Sequence, residues 1–219
     1  ARCTAMTPLR LALAQGVIFD DTCRALAEVG LPVDGLTGHR RLLVRADDGV
    51  EYVLARPADV PTYVAHGAAD VGIVGRDVLL ESDEDVLELV DLGYGVCRFV
   101  VAAPAASIDR SLDEYRHLGS LEVATKYPRV AERHVQRRGI QVELIKLSGA
   151  VELAPQVGLS DWIVDLVSTG GTLRANDLAV VEEIATCSAR LIANRVAYAR
   201  KREAIADLAE RLEAWAAKR

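Results

Sequence analysis

The stretch Trp162-Ile163-Val164-Asp165-Leu166-Val167-Ser168-Thr169-Gly170-Gly171-Thr172-Leu173 decides how the rest of the chain is read. Its first six residues are nearly continuously apolar, as a buried parallel strand should be. A Ser-Thr-Gly-Gly-Thr turn follows, and a mostly helical pattern is predicted from Leu173 to Ile184. A strand that runs through such a turn into a helix is an anion cradle. Two glycines let backbone N–H groups converge without interference from Cβ atoms. The helix start presents unpaired N–H groups and the positive end of its dipole. Ser168, Thr169 and Thr172 add hydroxyl donors. Asp165, at the strand end, can bond sugar hydroxyls or help hold a phosphate-bound cation. The plain alternative is an ordinary strand-to-helix turn capped by Ser and Thr. The segment is neither GxxxxGK[ST] nor GxGxxG.

Working outward, strands and helices alternate on both sides. Downstream, Ala189 to Asn194 reads as a strand. Tyr198 to Arg219 reads as one amphipathic helix with Ile205, Leu208, Leu212 and Trp215 on one stripe. That stripe packs either on its own lobe or on a partner helix. Upstream, Leu121 to Thr125 and Gln141 to Leu147 are strands around a helix from Val130 to Arg138, and Gly149 to Pro155 is a short helical turn. Earlier still come a strand from Leu9 to Ala14 and a helix from Ile18 to Val29. Leu42 to Arg45 and Tyr52 to Ala55 flank the hairpin signal Asp48-Gly49. A short helix from Val60 to His66 stops at Gly67. Val71 to Val74, Leu87 to Leu92 and Phe99 to Ala102 are further strands.

This alternation predicts an α/β fold of mixed, mostly parallel sheets. The composition break APAASIDRS at residues 103–111 marks a lobe crossing. The expected division is a discontinuous first lobe, residues 1–103 with about 185–219 and the C-terminal helix, and a second lobe, residues 104–184, carrying the cradle.

Composition narrows the function classes. The chain has 219 residues, of which 51% are hydrophobic and 26% charged, so it is globular and not disordered. Aromatics are 5%, so the core rests on Leu, Val, Ile and Ala. The net charge of −6 disfavours nucleic acid as the main partner and still allows a local cationic pocket. No apolar run approaches the roughly 18 residues of a membrane helix. Leu9 to Ala14 is too short for a signal-peptide core, which points to a cytoplasmic protein. Met6, the one methionine, is a candidate native start. Cys3, Cys23, Cys97 and Cys187 form no CxxC pair and read as buried reduced thiols. His39, His66, His117 and His134 have no HExxH spacing and read as structural or surface residues. GxSxG, a Cys/His signature and a carboxylate dyad are all missing, so no side-chain nucleophile is expected.

A ribose 5-phosphate group fits the cradle, and the segment resembles the phosphoribosyl pyrophosphate (PRPP) loop of phosphoribosyltransferases. The common version has two adjacent acids before its turn. Here Val164 takes the first place, which argues for a different scaffold. Four other segments share one resemblance: Ala55 to Val64 (ARPADVPTYV), His66 to Gly75 (HGAADVGIVG), Ala124 to Pro128 (ATKYP) and Lys146 to Pro155 (KLSGAVELAP). With STGGTL they resemble the ATP phosphoribosyltransferase family, from about Leu9 to Arg202. The chain ends at Arg219, so it is similar to the family's short form, which works with a separate subunit related to histidyl-tRNA synthetase.

The resemblance implies a two-lobed fold like the type II periplasmic binding proteins, with the active site in a cleft. It implies that PRPP lies on Asp165, Ser168, Thr169, Gly170, Gly171, Thr172 and Leu173. Candidate ATP contacts are Gly16, Arg56, Asp70, Gly72, Ile73, Lys126, Ser148, Gly149 and Glu152, each with a structural alternative such as a cap, a turn or a surface ion pair. Magnesium is implied, held mainly by the pyrophosphate of PRPP, with Asp165 or Glu152 assisting. A homo-oligomer is also implied. The family's first strand usually ends in Lys-Gly-Arg, whereas this chain has Gln15-Gly16-Val17. Arg10, Arg40, Arg41 or a partner subunit are the candidates to replace the two missing cations. Rival readings are a two-lobed sensor without chemistry and a phosphoribosyltransferase acting on another base.

Overall fold

The computed structural model describes residues 8–38, 41–46, 49–107 and 121–218. The readings placed on Cys3, Met6, His39, Arg40, Asp48 and His117 lie outside these residues. The chain divides into two compact units, Ala1–Gly95 with Ser188–Arg219, and Val96–Cys187.

The first unit holds β1 (Arg10–Ala14), α1 (Phe19–Glu28), β2 (Leu43–Arg45), β3 (Glu51–Ala55), α2 (Val60–Ala65), β4 (Val71–Gly75), α3 (Arg76–Glu81) and β5 (Leu87–Asp91). The second unit holds β6 (Cys97–Pro104), β7 (Leu121–Thr125), α4 (Pro128–Arg138), β8 (Val142–Lys146), β9 (Trp162–Val167), α5 (Gly171–Ala175) and β10 (Leu178–Cys187). β11 (Ala189–Ala193), α6 (Arg195–Arg200) and α7 (Arg202–Ala216) return to the first.

The first sheet has the order β2-β3-β1-β4-β11-β5, and parallel pairing joins β3, β1 and β4. Its two faces are both covered, so β1 alternates between two cores. Leu11 and Leu13 meet α1 and α7, while Ala12 and Ala14 pack under Val60 and Val64 of α2. Gly72 is dictated by that packing: a Cβ there would stand 2.9 Å from Val64 and 3.2 Å from the Ala12 carbonyl oxygen. The stripe Ile205, Leu208, Leu212 and Trp215 is buried in this unit's own core, which decides against its use as a partner-helix surface. Trp215 donates from Nε1 to Glu28 at 2.6 Å and meets Tyr94 edge-on.

The second sheet has the order β10-β6-β9-β7-β8. β7 pairs in parallel with β8 and β9, whereas β6 and β10 run antiparallel. The expected α/β architecture holds, as two mixed sheets. The expectation of mostly parallel strands is met only at β3-β1-β4 and β9-β7-β8, because β2 folds back on β3 as a hairpin and the strands next to the crossings, β6, β10 and β11, pair antiparallel.

Three boundaries differ from the sequence reading. Residues 173–184 are not mostly helical: α5 ends at Ala175, Asp177 turns with φ +54°, and β10 begins at Leu178. Pairing of Val180 and the following residues with β6 overrides the helical propensity of Leu, Ala and Glu. The C-terminal helix is two helices broken at Lys201, whose ammonium bonds the Pro8 carbonyl and Asp70. The crossings fall at 95–96 and 187–188 rather than 103–104 and 184–185, because the whole of β6 and β10 pair within the second sheet.

Candidate active site

In the second unit the three parallel strands β8, β7 and β9 finish on one edge of the sheet. Thr125 stands in register with Lys146 on one side and Val164 on the other. Lys126 and Asp165 each follow that register by one residue, Ser148 and Gly149 follow β8, and β9 runs on to Ser168. The carboxyl edge of parallel strands is where ligands bind in open α/β sheets. Thr125, absent from the sequence candidates, ties this edge together. Its buried hydroxyl donates to the Val164 carbonyl at 2.7 Å and accepts from the Tyr127 N–H at 2.9 Å.

The Ser-Thr-Gly-Gly-Thr bend is open. Ser168, Thr169, Gly171 and Thr172 are exposed. A pocket of about 100 Å³ is lined by residues 165–173 and Glu152. Gly170 adopts φ +73°, a left-handed conformation that swings the chain from β9 into α5. A Cβ on Gly171 would meet only Thr169 Oγ1, at an ordinary 3.7 Å, so the fold itself leaves room there. α5 has five residues, so its dipole is short. The donors that matter are its first-turn N–H groups, which have no acceptor in the helix. Arg174 braces the bend from outside, donating to the Thr169 carbonyl at 3.2 Å. Leu173 also lines the pocket, and it is buried in the core of the second unit.

Asp165 and Glu152 put two carboxylates on this pocket. Burial pushes the Asp165 carboxyl above the usual aspartate range, and the Glu152 charge pushes the same way. The Leu166 N–H, bonded to Oδ1 at 2.8 Å, and the Lys126 charge oppose it. A half-buried acid beside a second acid is short of positive charge, which suits a cation arriving with its own oxygen ligands.

The remaining candidates separate into two groups. In the first unit, Gly16 and Arg56 follow β1 and β3 at the carboxyl edge of the parallel trio, and both are exposed. Gly16 has φ +104° and open space where a Cβ would stand. The Arg76-Asp77 pair follows β4 on the same edge and was not among the sequence candidates. The end of a parallel strand was the available signal. Burial raises the Asp77 carboxyl pKa, and a Cβ on Gly75 would collide with that carboxylate.

Asp70, Gly72 and Ile73 stand apart from that edge. Asp70 lies at the opposite edge, before β4, where its carboxylate accepts from the Arg10 N–H and from Lys201, both at 2.8 Å. Gly72 and Ile73 are interior positions of β4 with no exposed surface to offer a nucleotide. Arg10 likewise cannot replace the cations missing at Gln15 and Val17. It stands at the start of β1 and is held by Glu51. Arg41 precedes β2, whose start lies toward the carboxyl end of β3.

A family model described as HisG: ATP phosphoribosyltransferase matches residues 56–214. The chain belongs to the ATP phosphoribosyltransferase family. Among curated members, one from Rubrobacter xylanophilus is 53% identical over 196 residues, covering 88% of this chain and 89% of the relative. One from Symbiobacterium thermophilum is 48% identical over 221 residues, covering 98% and 97%. Both are named ATP phosphoribosyltransferase. Among solved structures, the ATP phosphoribosyl transferase (HisG:HisZ) complex from Thermotoga maritima matches with TM-score 0.81 and 34% identity, over 96% of this chain and all of that one. The alkanesulfonate-binding protein SsuA from Xanthomonas axonopodis pv. citri matches with TM-score 0.56 and 12% identity, over 94% and 71%. That likeness bears on fold alone, and it is the periplasmic-binding type of two-lobed fold.

Proposed function

We propose that the chain transfers the phosphoribosyl group of PRPP to N1 of ATP, giving phosphoribosyl-ATP and pyrophosphate, the first step of histidine biosynthesis. It is a glycosyltransferase of the pentosyl type. The observation that carries the site assignment is the open main-chain bend at residues 168–172, set at the ends of three parallel strands with two carboxylates beside it.

The 5-phosphate of PRPP sits on the N–H groups of Gly171, Thr172 and Leu173, with hydroxyls of Ser168, Thr169 and Thr172 as further donors. Asp165 bonds the ribose hydroxyls. Displacement at the anomeric carbon develops positive charge on the sugar ring and negative charge on the departing pyrophosphate. The protein supplies no nucleophile, since adenine N1 is one. It aligns the reactants, an effect that reaches roughly 7–11 kcal/mol in favourable cases. It also surrounds the ring with the negative field of Asp165 and Glu152.

Among the described residues no cluster of three His, Cys, Asp or Glu side chains forms a metal cage. Magnesium is usually bound through one or two carboxylates together with substrate phosphates. Asp165 and Glu152 are the residues that would hold it, and when bound it neutralises the leaving pyrophosphate. Gly16, Arg56, Lys126, Ser148 and Gly149 are the ATP-side candidates that remain.

A subunit related to histidyl-tRNA synthetase is the proposed partner, with a homo-oligomer of this chain as the catalytic body. The cytoplasm is the proposed location; no helix among the described residues is long and apolar enough to cross a membrane. The test is pyrophosphate release from ATP, PRPP and magnesium, with and without that subunit. Release coupled to phosphoribosyl-ATP formation is expected. PRPP binding with no product in either mixture would favour a sensor, and product with another base would reassign the acceptor.

A further inference from the structure

The chain passes between its two units at Gly95–Val96 and again at Cys187–Ser188. Cys97 opens β6 just inside the first crossing, and Cys187 closes β10 at the second. The antiparallel register sets them opposite each other. Ala185 faces Phe99, Thr186 faces Arg98 and Cys187 faces Cys97, beyond the shifts that interrupt the ladder earlier in β10. Opposed residues of an antiparallel pair project from the same face, with Cα atoms about 4.5 or 5.5 Å apart according to whether the pair is hydrogen-bonded. Both separations fall in the roughly 4.4–6.8 Å range across which a disulfide closes. The two cysteines are not joined by a disulfide. Cys187 is buried and Cys97 is half-buried.

We propose that Cys97 and Cys187 form a reversible redox site, oxidised by low-molecular-weight disulfides, that staples the two crossing segments of the chain. Access sets the order of events. The Cys97 thiolate, having given up its proton, attacks one sulfur of the small disulfide. The S–S bond breaks, one thiolate leaves, and a mixed disulfide forms on Cys97. The Cys187 thiolate then attacks the Cys97 sulfur and expels the second small thiolate. The two released thiolates take up the two protons lost by the cysteines. Two thiols and one small disulfide thus become one protein disulfide and two small thiols. The link closes a loop containing the entire second unit, and with it the cradle. In a reducing cytosol the dithiol prevails, and the staple accumulates when small disulfides rise.

The whole protein is equilibrated in glutathione and glutathione disulfide at stepped ratios, alkylated and mapped by peptide mass. The expected result is a Cys97–Cys187 linked peptide that grows with the oxidised share and vanishes with dithiothreitol. Cys187→Ser is expected to retain glutathione on Cys97, and Cys97→Ser to remain unmodified at Cys187. The thermal midpoint of the oxidised wild type should exceed that of the reduced protein, since a cross-link over so long a loop constrains the unfolded chain. Glutathione retained on wild-type Cys97, or both thiols alkylated at every ratio, would overturn the site. Equal midpoints for the linked and reduced forms would overturn the staple.

Discussion

Gly171→Ala separates the demands of the fold from those of the ligand. Gly171 is the first residue of α5, and a methyl there meets nothing closer than 3.7 Å. Replacing a helical Gly by Ala at a compatible position adds about 0.4–1 kcal/mol of stability. The same methyl enters the pocket beside the first-turn N–H groups. Displacing a phosphate oxygen from one of them forfeits a hydrogen bond to a charged group, about 1.5–3 kcal/mol. At 1.4 kcal/mol per factor of ten, PRPP affinity falls by roughly 10- to 100-fold. Gly170→Ala serves as the contrast. At φ +73° the added Cβ costs about 1–2 kcal/mol in backbone strain and stands 3.1 Å from Arg174 Nη1. Stability and affinity therefore fall together in Gly170→Ala and part company in Gly171→Ala. Urea unfolding and calorimetric titration with PRPP and magnesium read the two quantities. A Gly171→Ala protein that is as stable as wild type and binds PRPP equally well would refute the cradle geometry.

Three further outcomes follow from the same structure. The folded pKa of Asp165 lies above the ordinary value of 3.8, so its ionisation opposes folding. The folded state binds more protons in the interval between those two values, and stability falls as pH rises through it. Asp165→Asn should therefore unfold at higher urea than wild type at neutral pH, with the gain gone below the ordinary value, while turnover with PRPP collapses; unchanged turnover would remove Asp165 from the site. Thr125→Val leaves the Val164 carbonyl and the Tyr127 N–H without their partner and should cost about 1–3 kcal/mol in chemical denaturation, with a raised KM for substrates. A mutant as stable as wild type would contradict the tie between β7 and β9. Asp70→Asn weakens the anchor to Lys201 and should lower the thermal midpoint without changing the KM for ATP. A KM that rises without loss of stability would return Asp70 to the nucleotide site.

Local chemistry made the cradle legible. WIVDLV announces a buried strand, and Gly-Gly before Thr-Leu announces an open bend whatever the rest of the chain does. The unbroken apolar stripe of α7 was equally readable as one face of a helix, but which core it fills depends on α1 and Tyr94, far away in sequence. Residues 173–184 misled because LRANDLAVVEEI carries helical propensity, while its pairing partner, β6, lies some 80 residues upstream and leaves no local trace. The Asn176-Asp177 turn was the overlooked signal. Asp70, Gly72 and Ile73 stood in a family-like segment, yet nothing in a strand's sequence says which end faces a ligand. That follows only from parallel pairing with β1, which sends the carboxyl end of β4 toward Arg76 and leaves Asp70 at the far edge. Thr125 was hidden for the same reason, since its role is a bond to a strand 39 residues away.

The central claim is that main-chain N–H groups of residues 168–173 grip the sugar phosphate. The most direct measurement is the backbone amide spectrum of the isotope-labelled protein as PRPP and magnesium are added. The account predicts that the amides of Gly171, Thr172 and Leu173 move furthest, with those of Ser168 and Thr169 close behind, and that they saturate together with PRPP binding measured by calorimetry. Saturable PRPP binding that leaves these amides in place would contradict it.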